Sequence, residues 1–213
     1  LLDKHCIIVS PLFQENSLLD QLREPVLNGE TNPESWRRRQ LKRFSSLLEN
    51  HETEVIKALE KDLGKPPTEA FFELIALKQE LKLVQKHLHD WMRPKRISIP
   101  FSLKPGEAIV QLEPLGCVLI IGPWNYPFSL ALQPLISALA AGNTAIIKPS
   151  EQAPATSQLI EDLISRYFPP ETAQVIQGDG EIAANLVSEP FDHIFFTGGG
   201  GIGKKIMASA AMN

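Results

Sequence analysis

The chain is 213 residues long, 43% hydrophobic and 22% charged, with a formal net charge of -4 and an isoelectric point near 5.8. That composition fits a folded protein of one large domain or two small ones and excludes disordered and collagen-like classes. The acidic balance gives no electrostatic footing for nucleic acid, whose binding needs clustered cations to displace counterions.

Cys6 and Cys117 lie far apart and share no metal-ligand spacing, so neither a disulfide framework nor a metal site is expected and a reducing compartment is the default. No uninterrupted apolar stretch approaches the ~20 residues of a membrane helix. The N-terminus also lacks a basic region leading into an apolar run. A cytoplasmic protein without a membrane span is expected. The chain opens at Leu1 and stops at Asn213 in or just after a helical pattern, which reads as a fragment.

Helices are predicted from about Asn32 to Trp91. Asn32-Pro33-Glu34 supplies a cap residue followed by a proline suited to a first turn. Between the cations of Trp36-Arg37-Arg38-Arg39-Gln40-Leu41-Lys42-Arg43, apolar Trp36, Leu41, Phe44, Leu47 and Leu48 recur at helical spacing. The basic run therefore reads as the solvated face of a helix. A second helix over residues 51–63 carries Val55, Ile56, Leu59 and Leu63 on one stripe and stops at Gly64-Lys65-Pro66-Pro67. A third spans residues 68–91 with apolar positions at i, i+3 and i+4. None of these helices is assigned any chemistry.

From Ile97 to Glu113 the pattern changes to two short extended pieces, residues 97–100 and 108–112, around the turn Lys104-Pro105-Gly106-Glu107. Pro100 and Pro114 suit edge strands, so a projecting hairpin arm is expected that pairs with another subunit.

Beyond Gly116, apolar runs alternate with turns and helices, the signature of a parallel sheet built from βαβ units. Strands are predicted at 117–121, 144–148, 173–177 and 193–197. Helices are predicted at 129–141, 156–167, 182–187 and from Ile202 onward. The expected class is α/β, a Rossmann-like parallel sheet with flanking helices, a helical N-terminal region and a projecting hairpin. The expected units are residues 1–96, 97–113 and 114–213. Ligands of such sheets sit beyond the carboxyl ends of the strands.

Three motifs fall at those ends. Gly198-Gly199-Gly200-Gly201-Ile202-Gly203 satisfies G-x-G-x-x-G between a strand and a helix, so it reads either as a phosphate cradle or as a glycine-rich turn. The orthodox fingerprint opens the first βα unit and needs an acidic residue ~20 positions later, neither of which holds here. Lys148-Pro149-Ser150-Glu151 places a cation and a carboxylate where they can bond ribose hydroxyls. Alternatively, Lys148 is a strand-end surface charge and Ser150 or Glu151 a helix cap. Gly122-Pro123-Trp124-Asn125-Tyr126-Pro127 is a rigid turn that fixes one amide, either as donor to a developing oxyanion or as the amide of a tight turn.

Taken together, Pro114-Leu115-Gly116, Pro123-Trp124-Asn125-Tyr126-Pro127, Ala141-Gly142-Asn143-Thr144, Lys148-Pro149-Ser150-Glu151 and Phe196-Thr197-Gly198 resemble the aldehyde dehydrogenase superfamily in order and spacing. The Pro-Trp-Asn-Tyr-Pro wording, the three-helix start and the hairpin are most similar to its class 3 branch, which acts on fatty and aromatic aldehydes. The resemblance runs from about residue 30 to the end. It implies that Asn125 polarises the aldehyde oxygen and that Lys148 and Glu151 bind a ribose, with Trp124 and Ser150 lining the same groove. It further implies that Gly198 and Gly203 are the two glycines of a G-x-x-x-x-G phosphate turn, with Thr197 and Gly199 beside Gly198 also binding the cofactor, and that Gly178 approaches the adenine.

The implied cofactor is NAD, with NADP possible, because a carboxylate at Glu151 repels a 2′-phosphate. The implied reaction oxidises an aldehyde to a carboxylic acid through thiolate attack, hydride transfer from a thiohemiacetal and hydrolysis of an acyl-enzyme. A homodimer through the hairpin is implied as well.

Two departures stand out. Gly199 replaces the serine usual in the turn, which removes a phosphate hydrogen bond, and the extra glycines imply a floppier loop with weaker dinucleotide affinity. The segments that carry the family's nucleophilic cysteine and general-base glutamate do not occur in this sequence. Cys117, expected in a buried strand, is no substitute. This chain alone is therefore expected to be inactive, its catalytic domain absent, with apolar surface left exposed. The alternative reading is a dinucleotide-binding fragment without catalysis; an acylating relative that passes the acyl group to coenzyme A is a third.

Overall fold

The computed structural model describes residues 17–212. Cys6 lies outside them. A four-stranded parallel sheet forms the centre, in the order β5-β4-β3-β6, with β3 at Cys117–Ile121, β4 at Thr144–Lys148, β5 at Ala173–Val175 and β6 at His193–Phe196. The helices between them are α5 (Ser129–Ala140), α6 (Pro154–Tyr167) and α7 (Gly180–Val187), and α8 (Gly200–Ala210) follows β6. The α/β class and the parallel sheet are as expected from the alternating pattern.

Both faces of β3 and β4 are covered, which is why these strands read as unbroken apolar runs. Alternation divides their side chains between two cores. Val118, Ile120, Ala145 and Ile147 face the larger core, shared with α5, α6 and three helices that precede the sheet. Those helices are α2 (Glu34–Asn50), α3 (Glu52–Leu63) and α4 (Pro67–Met92). Cys117, Leu119, Ile121 and Ile146 face a smaller core, closed by Leu186 and Val187 of α7 and by Leu19 and Leu22 of one more helix, α1 (Leu18–Leu27).

α1 lies ahead of the first helix expected from the periodicity. Ser17 and Asp20 form a reciprocal capping box at its start, and Pro25 sits inside it. Thr144 Oγ1 donates to Leu22 O (2.6 Å), and Arg23 pairs with Asp192 (2.9 Å), which fastens α1 to the sheet. The start of α2 also differs from expectation. Pro33 occupies the cap position itself, with no side-chain cap bond, and the helix begins at Glu34.

The basic run divides along its helix. Arg38 bonds Glu34 across one turn. Arg37, expected on the solvated face, is buried and donates to Thr31 O (3.3 Å) and Ala140 O (3.1 Å), so it joins α2 to the end of α5.

The hairpin is shorter than expected and shifted toward the N-terminus. β1 (Lys95–Ile97) pairs antiparallel with β2 (Ala108–Val110), and residues 101–103 form a 3-10 turn between them. Phe101 is 92% exposed, and Ile97, Ile109 and Leu112 are exposed with it. Among the described residues, no helix is long and apolar enough to cross a membrane.

Candidate functional site

The carboxyl ends of β3, β4 and β6 lie side by side, because the parallel register sets Ile121 opposite both Lys148 and Phe196. Gly122 N donates to Lys148 O (3.0 Å) and Thr197 N to Ile121 O (3.1 Å), which extends the register one residue past each strand. The three motifs thus converge on one cavity of about 920 Å³, a size suited to an extended cofactor. Trp124 and Asn125 line it from the β3 end, Lys148, Ser150 and Glu151 from the β4 end, and Thr197, Gly198 and Gly199 from the β6 end. A smaller cavity of about 480 Å³ runs along the outer side of β6 and shares only Thr197 with these residues.

At the β4 end, Lys148 is not a surface charge. Its side chain is buried, and Nζ donates to Glu151 Oε2 (2.8 Å). The lysine holds the Glu151 carboxyl below the usual carboxylate range, so Glu151 is ionised at neutral pH, with 44% of its side chain open to the cavity side and solvent. The capping alternative does not hold either. The amides of Ala155 and Thr156 at the start of α6 donate to Asp62 of α3 (2.9 and 2.7 Å), and Ser150 Oγ accepts only from Gln152 N in its own turn. Lys148, Ser150 and Glu151 are therefore not consumed by helix capping.

At the β3 end, the close approach of α5 forces Gly122: a Cβ there would lie 2.9 Å from Ala131 Cβ. The following turn exposes Trp124 and Asn125, then buries Pro127 and Phe128. Among the described residues no hydrogen bond engages the Asn125 side chain, whereas its backbone carbonyl accepts from Lys65 Nζ (2.8 Å). The carbonyl is thus held from outside the turn, and the side-chain amide lies at the cavity wall without a protein partner among the described residues.

The glycine turn differs from expectation in one respect. Gly200 and Gly201 are not loop residues; they form the first turn of α8, which starts two residues before Ile202. Gly199 is the cap, with φ -68° and ψ 141° and no side-chain cap bond. The amides of Gly200 and Gly201 therefore lack intrahelical acceptors, the arrangement that attracts anions, while Ile202 N and Gly203 N donate to Gly199 O. A Cβ at Gly199, Gly200 or Gly201 would meet nothing within 4 Å, so the extra glycines are not sterically required.

Gly178 and Gly203 are not in the cavity wall. Gly178 has a local reason to be glycine: its φ is +145°, and a Cβ would fall 2.6 Å from Ile182. Gly203 sits within α8, where a Cβ would make ordinary contact with Phe196 at 3.5 Å.

Cys117 is buried in β3, and burial pushes its thiol up to about 12, so it carries no thiolate at neutral pH. The helical region, given no chemistry from sequence, reaches the site through Lys65 and Glu73. Lys65 Nζ donates to Glu73 Oε1 (2.7 Å), and Glu73 Oε2 accepts from the amides of Phe128 (3.1 Å) and Ser129 (2.9 Å). The only sequence signal for this pair was a lysine held between a helix-stopping glycine and two prolines.

The aldehyde dehydrogenase family profile matches residues 30–213. The chain is 40% identical to aldehyde dehydrogenase family 3 member H1 of Arabidopsis thaliana over 199 residues, which is 93% of this chain and 41% of that protein. It matches a substrate-bound state of Staphylococcus aureus AldH with a TM-score of 0.89 at 38% identity, covering 92% of this chain and 43% of that one. A betaine aldehyde dehydrogenase from Staphylococcus aureus in complex with NAD+ matches with a TM-score of 0.81 at 26% identity, covering 92% and 40%. The chain thus spans about two-fifths of the length of these relatives.

Proposed function

The chain belongs to the aldehyde dehydrogenase family, and from that premise we propose that it binds NAD in the large cavity and serves the oxidation of an aldehyde to a carboxylic acid. One observation carries this reading: a buried lysine with its carboxylate, an uncommitted amide and an uncapped helix start converge on one wall-lined space. The residues fit a dinucleotide. Lys148 and Glu151 offer a donor and an acceptor to neighbouring ribose hydroxyls. The first amides of α8 offer donors to the pyrophosphate. Glu151, kept ionised by Lys148, favours NAD over a form bearing a 2′-phosphate.

A nicotinamide held by these residues would supply the hydride acceptor for the substrate carbon. Asn125 directs its Nδ2–H₂ to the aldehyde oxygen and strengthens that bond as negative charge develops there, which lowers the barrier rather than merely tightening binding. Trp124, 52% exposed beside it, forms the apolar side of the entrance.

Titration of NAD, followed by tryptophan fluorescence, tests the site. Lys148→Ala and Glu151→Ala should each weaken binding by about tenfold or more, as loss of a charge-assisted hydrogen bond does. Asn125→Ala should bind NAD like the wild type. Wild-type affinity in both Lys148→Ala and Glu151→Ala would remove the assignment.

A second reading has its own support. Cys117, the one cysteine among the described residues, is inert, so these residues offer no thiolate nucleophile. A dinucleotide-binding module without turnover would bind NAD in the same titration yet reduce none of it with any aldehyde.

The exposed apolar arm supports a third element of the proposal, self-association through β1 and β2. Serine at Ile97, Phe101 and Ile109 together should shift sedimentation from dimer to monomer, and an unchanged sedimentation coefficient would refute it.

A further inference from the structure

We propose that Lys65 and Glu73 are positioning residues for Asn125, acting as a buried clamp on both ends of the turn that presents the amide. The proposal rests on the reading of Asn125 as the oxyanion donor.

The pair comes from the helical layer. Lys65 precedes α4 and Glu73 lies two turns into it, and their side chains are 7% and 0% exposed. Among the described residues, the pair's other contacts fall on residues 125–129. The Lys65 ammonium bonds Asn125 O (2.8 Å) and sits 3.9 Å from the centre of the Tyr126 ring. The second Glu73 oxygen takes the amides of Phe128 and Ser129. α5 has no side-chain cap of its own, so Glu73, remote in sequence, supplies the acceptors that a cap would. One end of the turn is thus fixed by a cation on a carbonyl and the other by a carboxylate on two amides.

A buried ion pair is a poor device for stability alone, because an apolar pair of similar volume often holds a fold as well or better. What an apolar pair cannot do is fix the plane of the Asn125 peptide. That plane sets the direction of the Asn125 Cα–Cβ bond, and so where the side-chain amide points. An oxyanion donor works only when aimed at the charge, and small misplacement is costly to rate.

The test uses Lys65→Met, Glu73→Gln and the double variant, each also combined with Asn125→Ala. The double variant keeps an acceptor over the Phe128 and Ser129 amides but removes the donor to Asn125 O and both charges. Its thermal midpoint should return to near the wild-type value, while turnover of aldehyde falls by roughly ten- to a hundredfold and NAD affinity stays unchanged. In the Asn125→Ala background the same change should cost nothing further, since the clamp acts only through that amide. Wild-type turnover in the refolded double variant, or a loss that multiplies with that of Asn125→Ala, overturns the proposal.

Where the chain alone turns over no aldehyde, as the lack of a thiolate among the described residues predicts, the kinetic arm is silent and the activity assignment stands apart from it. The clamp is then decided by nuclear magnetic resonance. The Asn125 side-chain amide and the Tyr126 backbone amide, whose peptide carbonyl receives the ammonium, should shift and broaden in the double variant; unchanged resonances refute it.

Discussion

The two halves of the site stand on supports of different quality. β3 and β4 are buried at all five positions each, and the turn and ribose segments grow directly from them. β6 alternates between exposed and half-buried positions, and α8 has no buried residue, with Ile202 60% and Met207 73% exposed. The residues proposed to orient the substrate oxygen and the ribose therefore sit on a rigid base, while the phosphate turn sits on the lightly packed edge. Local opening follows packing density, so the edge is where the site can give.

The comparison breaks most directly in the core. Phe128 is fully buried beneath the Asn125 turn, and Phe128→Ala should cost about 3–5 kcal/mol in urea unfolding. Ile202→Ala on α8 should stay within about 0.5 kcal/mol. Equal costs would mean that the two supports do not differ.

A smaller effect comes from Cys117, whose thiol marks the closure of the lesser core. Burial raises it from 9.0 to about 12, so the folded state holds the proton more tightly than the unfolded chain. Its contribution to stability is complete below about 9 and is lost as pH rises through about 12. Between those values the wild type should lose stability faster with pH than Cys117→Ala does; parallel slopes would show that the thiol is not shielded. In a Cys6→Ser background, alkylation at pH 8 should require unfolding.

The smallest effect is expected at the edge itself. Gly199 already has a cap conformation and open space, so Gly199→Ser should gain a few tenths of a kcal/mol from capping. The same hydroxyl should tighten NAD binding, and an unchanged dissociation constant would refute the link between this glycine and weak phosphate contacts.

Legibility in the sequence followed the same division. β3 and β4 were readable to the residue because burial on both faces leaves an unbroken apolar run between turn signals. β5 and β6 end one or two residues earlier than expected, although Ile176 N and Thr197 N still bond the neighbouring strands. α1 was missed because its capping box uses Asp20 rather than glutamate and Pro25 interrupts its pattern. Periodicity placed Arg37 on the solvated face of α2, but its acceptors are carbonyls on other segments, which no local pattern records. Of the site, Asn125, Lys148 and Glu151 stood out as residue types at strand ends. Lys65 and Glu73 did not, because their partners lie about sixty residues away and only tertiary structure brings them together.

The register that aligns the three strand ends joins contacts of very different loop length. β3 meets β4 after one crossover, whereas Val118 pairs with His193 across the intervening β4, α6, β5 and α7, and Cys117 N reaches Asp192 across 75 residues of chain. Closing the longer loop costs more entropy, and its contacts repay that cost only after β6 has docked. A dinucleotide that touches all three strand ends therefore binds only a chain in which the longer loop has closed, and its capture reports that closure.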